Sequence, residues 1–231
     1  MSHFAQWLNT AFAGFDHAIL KFYHDLATVA DPVCGPISSI CAFLGDGALL
    51  FFVTAAIMLL FAQTRKSGIC MAISIGLASL ITNVTVKPLV ARPRPYASGV
   101  ADYVEWWKYV GGHTHSEYSF PSGHTTSAMA AMLALCLCLC IFNTRENNKK
   151  YRWVIVPAVL CVILMGASRN YIMVHYPSDI LGGIIAGGIG AIVGYFLIHL
   201  VYKRIESNRE NKVCAFLLKA DIKNLFKKDR K

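Results

Sequence analysis

Three short stretches of this chain carry the residue types that handling a phosphate group requires. In Lys87-Pro-Leu-Val-Ala-Arg92-Pro-Arg94-Pro95, three cations stand among stiffening prolines. Lysine offers a mobile point charge, and the planar arginine fork suits phosphate oxygens bidentately. In Ser119-Phe-Pro-Ser122-Gly123-His124-Thr-Thr, a serine and a glycine precede an apolar run. Free backbone N–H groups at such a helix start form an anion site, and glycine lets an anion approach closely. In Ser168-Arg169-Asn-Tyr-Ile-Met-Val-His175-Tyr-Pro-Ser-Asp179, a carboxylate four residues after an imidazole can orient it and so select the nitrogen left free to attack. Each stretch also has a plainer reading: a helix-end anchor, an ordinary N-cap at Ser122, and a loop histidine paired for stability.

The elements that must position these residues are membrane spans. Of the 231 residues 55% are hydrophobic and 15% charged, and the mean hydropathy is +0.48. A soluble domain carries about 25% charge, so a soluble globule, a disordered chain and a disulfide scaffold are excluded. Charge-free apolar runs cover residues 48–62, 68–86, 125–142, 153–167 and 180–201. Spanning a bilayer takes about 20 residues, so the chain reads as an all-α polytopic transmembrane bundle of five spans, or six if the N-terminal segment also crosses. Residues 1–45 read as an amphipathic, interfacial segment with an apolar stripe of Phe4, Trp7, Leu8, Phe12 and Phe15, broken by Asp31-Pro32 and Gly35-Pro36. Residues 46–202 form the transmembrane domain, and 203–231 a basic tail.

Loop charge orients the bundle. Arg65 and Lys66 join the first two spans, and Arg145, Lys149, Lys150 and Arg152 join the third and fourth. From Tyr202 on, ten Lys/Arg against four Asp/Glu account for six of the net +9 charges. Positive charge marks that side as cytoplasmic. All three chemical stretches then share the outer face, where cations, a helix N-terminus, two histidines and one aspartate converge. That set reads as phosphoryl transfer stabilised by cations and backbone amides. No metal or other cofactor is expected, because no second carboxylate accompanies Asp179 within these stretches. The residues alone leave open which histidine attacks.

Lys87-x6-Arg94-Pro95, Pro121-Ser-Gly-His124 and Ser168-Arg169-x5-His175-x3-Asp179 resemble, without gap or substitution, the three motifs of the type 2 phosphatidic acid phosphatase superfamily. The resemblance runs from about the first span to the fifth. It implies a helical bundle with His175 as the nucleophile forming a phosphohistidine, Asp179 orienting it, and His124 as general acid. Lys87, Arg94, Ser122, Gly123 and Arg169 would hold the phosphate, whereas Arg92 lies outside the pattern and is given no role beyond local charge. The implied substrate is a phosphorylated membrane lipid at the outer face of the cell membrane: polyprenyl pyrophosphate, phosphatidylglycerol phosphate or phosphatidic acid, with carrier-lipid recycling the first choice. The alternative is a protein of the same fold that binds or carries anionic lipid without turnover. Halide peroxidation is disfavoured, because the site sits among membrane spans.

The remaining features are read more plainly. Tyr103, Trp106, Trp107, Tyr109 and Tyr118 read as an interface belt, with a lipid-chain entrance as the alternative. His113 and His115 read as polar loop residues. Glycines from Gly182 to Gly194 at four-residue spacing read as packing within the chain rather than between copies. Apolar tail residues Phe216, Leu218, Ile222, Leu225 and Phe226 could rest on an anionic leaflet, or the tail could simply be solvated. No nucleic-acid partner is expected, and the sequence leaves the oligomeric state unknown.

Overall fold

The computed structural model describes residues 1–115, 118–141 and 148–222. Helix α1 (His3–Ala11) opens on Ser2, whose hydroxyl accepts from the Ala5 N–H, and α2 (Ala13–Gly45) follows. The expected break at the two proline pairs is corrected: α2 runs through both Pro32 and Pro36. A mid-helix proline costs about 3 kcal/mol, and here the helix is held from outside. Tyr171 donates to Asp31 at 2.7 Å, and Ala27 is buried against Tyr171, Ile172 and Val174. The chain turns only after Gly45, where Gly47 and Ala48 take positive φ and lead into α3 (Leu49–Leu59).

Helix α4 (Arg65–Ser79) passes through a π-helical stretch, Leu80–Val86, into the short α5 (Lys87–Val90). Then come α6 (Ala101–Tyr109), α7 (Gly123–Cys136), α8 (Ile155–Tyr171), α9 (Pro177–Ser207) and α10 (Lys212–Lys219). There is no β-strand among the described residues. Five helical stretches there are long and apolar enough to cross a membrane: Ala13–Leu59, Arg65–Ala97, Gly123–Cys140, Tyr151–Tyr171 and Pro177–Ser207. The fold is therefore the all-α bundle expected, and the first stretch begins well upstream of the apolar run read from sequence.

Helices α4, α7 and α9 form the centre, and glycines set their spacing. A Cβ on Gly187 would run into the Thr126 carbonyl of α7, and one on Gly190 would lie 2.6 Å from the Ala78 Cβ of α4. The glycine stripe thus packs within the chain. This close contact brings the start of α7, the end of α4–α5 and the start of α9 to one end of the bundle, where the three chemical stretches meet.

The aromatic loop departs from the expected belt. Tyr103 and Trp106 on α6 are buried with Leu20, Met173 and Tyr176, so they hold α2 against the site end of the bundle. Trp107 stacks on Tyr96 and donates to the His113 carbonyl at 2.7 Å. At the opposite end the tail folds back. Arg65 donates to the carbonyls of Leu217 and Ala220, and Phe216 stays exposed. Arg145, Leu225 and Phe226 lie outside the described residues.

Candidate active site

A cavity of about 380 Å³ opens at the shared helix ends, lined by Lys87, Arg94, Gly123, His124, Arg169 and His175. Six of the eight residues singled out from sequence therefore meet at one space. Lys87 follows directly on the π-helical stretch, a local widening of the helix that often marks functional positions. Arg94 is locked by donating to the Val174 carbonyl at 2.9 Å, tying the first stretch to the third. The Ser122 N–H donates to the Asp179 carbonyl at 3.0 Å, tying the second to the third.

Ser122 and Asp179 stand behind the wall rather than in it. Ser122 is fully buried, and its hydroxyl accepts from Thr125 at 3.1 Å instead of capping α7. Asp179 sits in the first turn of α9, where its Oδ2 accepts the Tyr176 N–H at 2.8 Å and the Ser119 hydroxyl. The same oxygen lies 3.4 Å from Nδ1 of His175.

These contacts fix the His175 tautomer. Arg94 Nη1 lies 3.2 Å from His175 Nε2, and a guanidinium can only donate, so Nε2 carries a lone pair and Nδ1 the proton. The Nδ1–H then lies 3.4 Å from the Asp179 carboxylate, near it but without a hydrogen bond. Burial, followed by the charges of Arg94, Arg169 and Lys87, pushes the His175 pKa well below its ordinary value, so the ring is neutral at pH 7.

His124 has two partners at one nitrogen. Arg169 Nη1 is 2.9 Å from Nε2 and the Ala42 carbonyl of α2 is 3.2 Å away. Unprotonated, Nε2 accepts from Arg169; protonated, it donates to Ala42. Either state of the ring has a partner, as a group that gives and takes a proton requires.

Arg169 is 1% exposed, yet its Nε and Nη2 have no hydrogen-bond partner. Buried guanidinium donors without an acceptor are costly. With Lys87 and Arg94, each 5% exposed, they surround one small cavity. Such a site is stabilised by an entering anion.

Arg92 is the main correction. Given no role beyond local charge from sequence, it is fully buried and stands directly behind Asp179. Its Nη1 donates to Asp179 Oδ1 and to the Ser178 hydroxyl, both at 2.7 Å; its Nη2 donates to Asp16 Oδ2 at 2.9 Å; its Nε donates to Asn9 at 2.8 Å. The guanidinium also lies 3.8 Å over the Tyr176 ring. Asp16 in turn accepts from the Ser178 N–H and hydroxyl. The N-terminal segment is thereby wired to the carboxylate that faces His175. Asp46 was not singled out from sequence and His115 was read there as a polar loop residue, yet both line the cavity. Nothing in their spacing marks them.

Fold and cavity define an α-helical membrane protein organised around a cluster of buried cations and histidines. The chain belongs to the PAP2 superfamily, which residues 67–206 match. A lipid A 4'-phosphatase of Porphyromonas gingivalis is 36% identical over 131 residues, 56% of this chain and 48% of that protein. Another, from Bacteroides thetaiotaomicron, is 30% identical over 143 residues, 61% and 57% of the two chains. The chain thus spans about half the length of these relatives. An undecaprenyl-diphosphatase of Bacillus subtilis is 28% identical over 166 residues, 69% and 72% of the two chains. The crystal structure of a transmembrane PAP2-type phosphatidylglycerolphosphate phosphatase from Bacillus subtilis shares the fold. Its TM-score is 0.61 at 24% identity, over 87% of this chain and 94% of that one.

Proposed function

We propose that this protein is a membrane lipid phosphatase that hydrolyses a lipid phosphomonoester or pyrophosphate through a phosphohistidine. The observation that carries the reading is the pairing of a neutral, Asp179-backed His175 with the unpartnered Arg169 donors across one cavity.

Phosphate oxygens entering the cavity take the donors of Lys87, Arg94, Arg169 and the backbone at Gly123. They are stronger acceptors for Arg94 than an imidazole is, so the Nε2 lone pair of His175 is released toward phosphorus. The N–P bond forms as the bond to the leaving oxygen breaks, and protonated His124 gives that oxygen its proton. Asp179 stabilises the cationic ring that results. Water then attacks phosphorus, giving its proton to His124, and the P–N bond breaks to release inorganic phosphate and restore His175. Three cations around one cavity repel a divalent metal and supply the charge stabilisation a metal would give.

The basic residues at the opposite end of the bundle support a cytoplasmic tail and an outward-facing site in the cell membrane. The same reading divides the chain into an interfacial segment (1–45), the phosphatase domain (46–202) and the tail (203–231). The test is phosphate release by detergent-purified protein in excess chelator over a panel of lipid mono- and pyrophosphates. Wild type should release phosphate and His175→Ala should not. Lipid binding without release would instead favour the carrier alternative.

A further inference from the structure

Beside the phosphate cavity lies a second one of about 540 Å³, lined among others by Ser39, Phe43, Thr114 and the backbone of Gly111 and Gly112. It shares Asp46, His115, His124 and Arg169 with the first, so the two adjoin along one wall. His175 lines only the first. In-line attack expels the leaving group on the side away from the nucleophile, and the proposed acid, His124, stands on the boundary. We propose that the second cavity receives the leaving group, and that its lining selects a neutral polyhydroxyl alcohol, a sugar or glycerol unit, over a phosphorylated one. The inference rests on the phosphatase reading above and narrows it. It also runs against carrier-lipid pyrophosphate as the first-choice substrate.

The argument is one of charge. A diphosphate ester would expel a group that is itself a phosphate and needs cations of its own. Among the described residues lining the second cavity, Arg169 is the only arginine or lysine, beside His113, His115 and the proposed acid His124, and it is shared with the transferred phosphoryl group. Asp46 lies at the shared boundary, close enough for its charge to act on both His115 and Arg169. A carboxylate there repels a leaving phosphate and accepts from hydroxyls. Tyr96 pins His115 beside it: the Tyr96 hydroxyl donates to the His115 carbonyl at 3.0 Å and accepts its N–H at 3.1 Å. Desolvation, followed by the charges of Arg94 and Arg169, lowers the His115 pKa to about 4, so it offers one donor and one acceptor without charge. Ser39 and Thr114 add hydroxyls, and Phe43 adds an apolar face for the carbon side of a ring. A site that hydrogen-bonds hydroxyls and repels an anion discriminates by both means.

The experiment compares kcat/KM of the purified full chain for a phosphorylated glycolipid, phosphatidic acid (whose leaving glycerol unit is uncharged) and a polyprenyl diphosphate, in wild type and Asp46→Asn. Wild type should prefer at least one of the two monoesters to the diphosphate by about 100-fold, and the better one distinguishes a sugar from a glycerol unit. Asp46→Asn should narrow that preference about tenfold by raising diphosphate turnover. Diphosphate preferred by wild type, or a ratio untouched by Asp46→Asn, overturns the subsite while leaving the phosphatase reading standing. Silence of folded wild type toward all three refutes the phosphatase reading, and this inference with it.

Discussion

Replacing Arg92 with lysine tests whether a residue outside the three motifs controls catalysis. The guanidinium distributes its bonds over three nitrogens, to Asn9, Asp16, and Asp179 with Ser178. A lysine keeps the charge on one atom, which can serve Asp16 or Asp179 but not both in this geometry. About one charge-assisted hydrogen bond is lost on the Asp179 side, worth about 1.5–3 kcal/mol. If that loss appears as freedom of the carboxylate that faces His175, kcat should fall about 10- to 100-fold, at about 1.4 kcal/mol per factor of ten. KM should barely move, because Lys87, Arg94 and Arg169 are untouched. The assay is initial-rate phosphate release across a substrate series. Adding Asp16→Asn removes the competing carboxylate and should restore part of kcat. Wild-type kcat in Arg92→Lys, or KM rising in step with the fall in kcat, would refute the positioning role. A merely structural role would lower stability without the rescue.

Three further outcomes are expected. Because the His175 pKa is depressed on folding, the unfolded chain takes up a proton below about 6.5 that the folded ring refuses. Wild-type stability should therefore drop relative to His175→Gln by about 1.4 kcal/mol per pH unit as pH falls below 6.5, read by thermal unfolding in detergent; parallel curves would show an ordinary histidine. A Cβ on Gly45 would lie 2.6 Å from His124 Cδ2 and 2.7 Å from Met165 Sδ, so Gly45→Ala should displace the proposed acid and cut kcat about tenfold or more, most for poor leaving groups. Leaving-group-independent rates in that variant would dissociate His124 from protonation. In a background with the other cysteines replaced, Ser98→Cys should react with an impermeant reagent from outside and Cys214 only after permeabilisation. The reverse pattern would invert the orientation.

Much of the candidate site was legible because its residues form local patterns. A helix N-terminus, a cationic run and a histidine four residues before an aspartate are patterns of adjacent residues, and alternating spans bring them to one end. What stayed hidden depends on burial and on distant partners. The motif resemblance separated Arg94 from Arg92, but only packing reveals that Arg92 stands behind Asp179. Pro32 and Pro36 would ordinarily interrupt a helix, yet contacts with the end of α8 carry α2 past them. Trp106 has the composition of an interface anchor, but α2 covers it. Ser122 marks the right turn, although its hydroxyl points to Thr125 rather than the cavity.

The match to the superfamily begins at residue 67, but two of the props on the proposed catalytic groups come from upstream. Near one end of α2, Asp16 braces Arg92 and thereby Asp179; near the other, the Ala42 carbonyl faces His124. The proposed orienting carboxylate and proton donor thus lean on a single rod. A graft carrying all three motifs without this rod would keep the phosphate cage but lose the backing of both. Related chains identical at every motif position can differ through a segment that motif comparison never reads, and a search for variants that tune the proposed activity should begin in the first 45 residues.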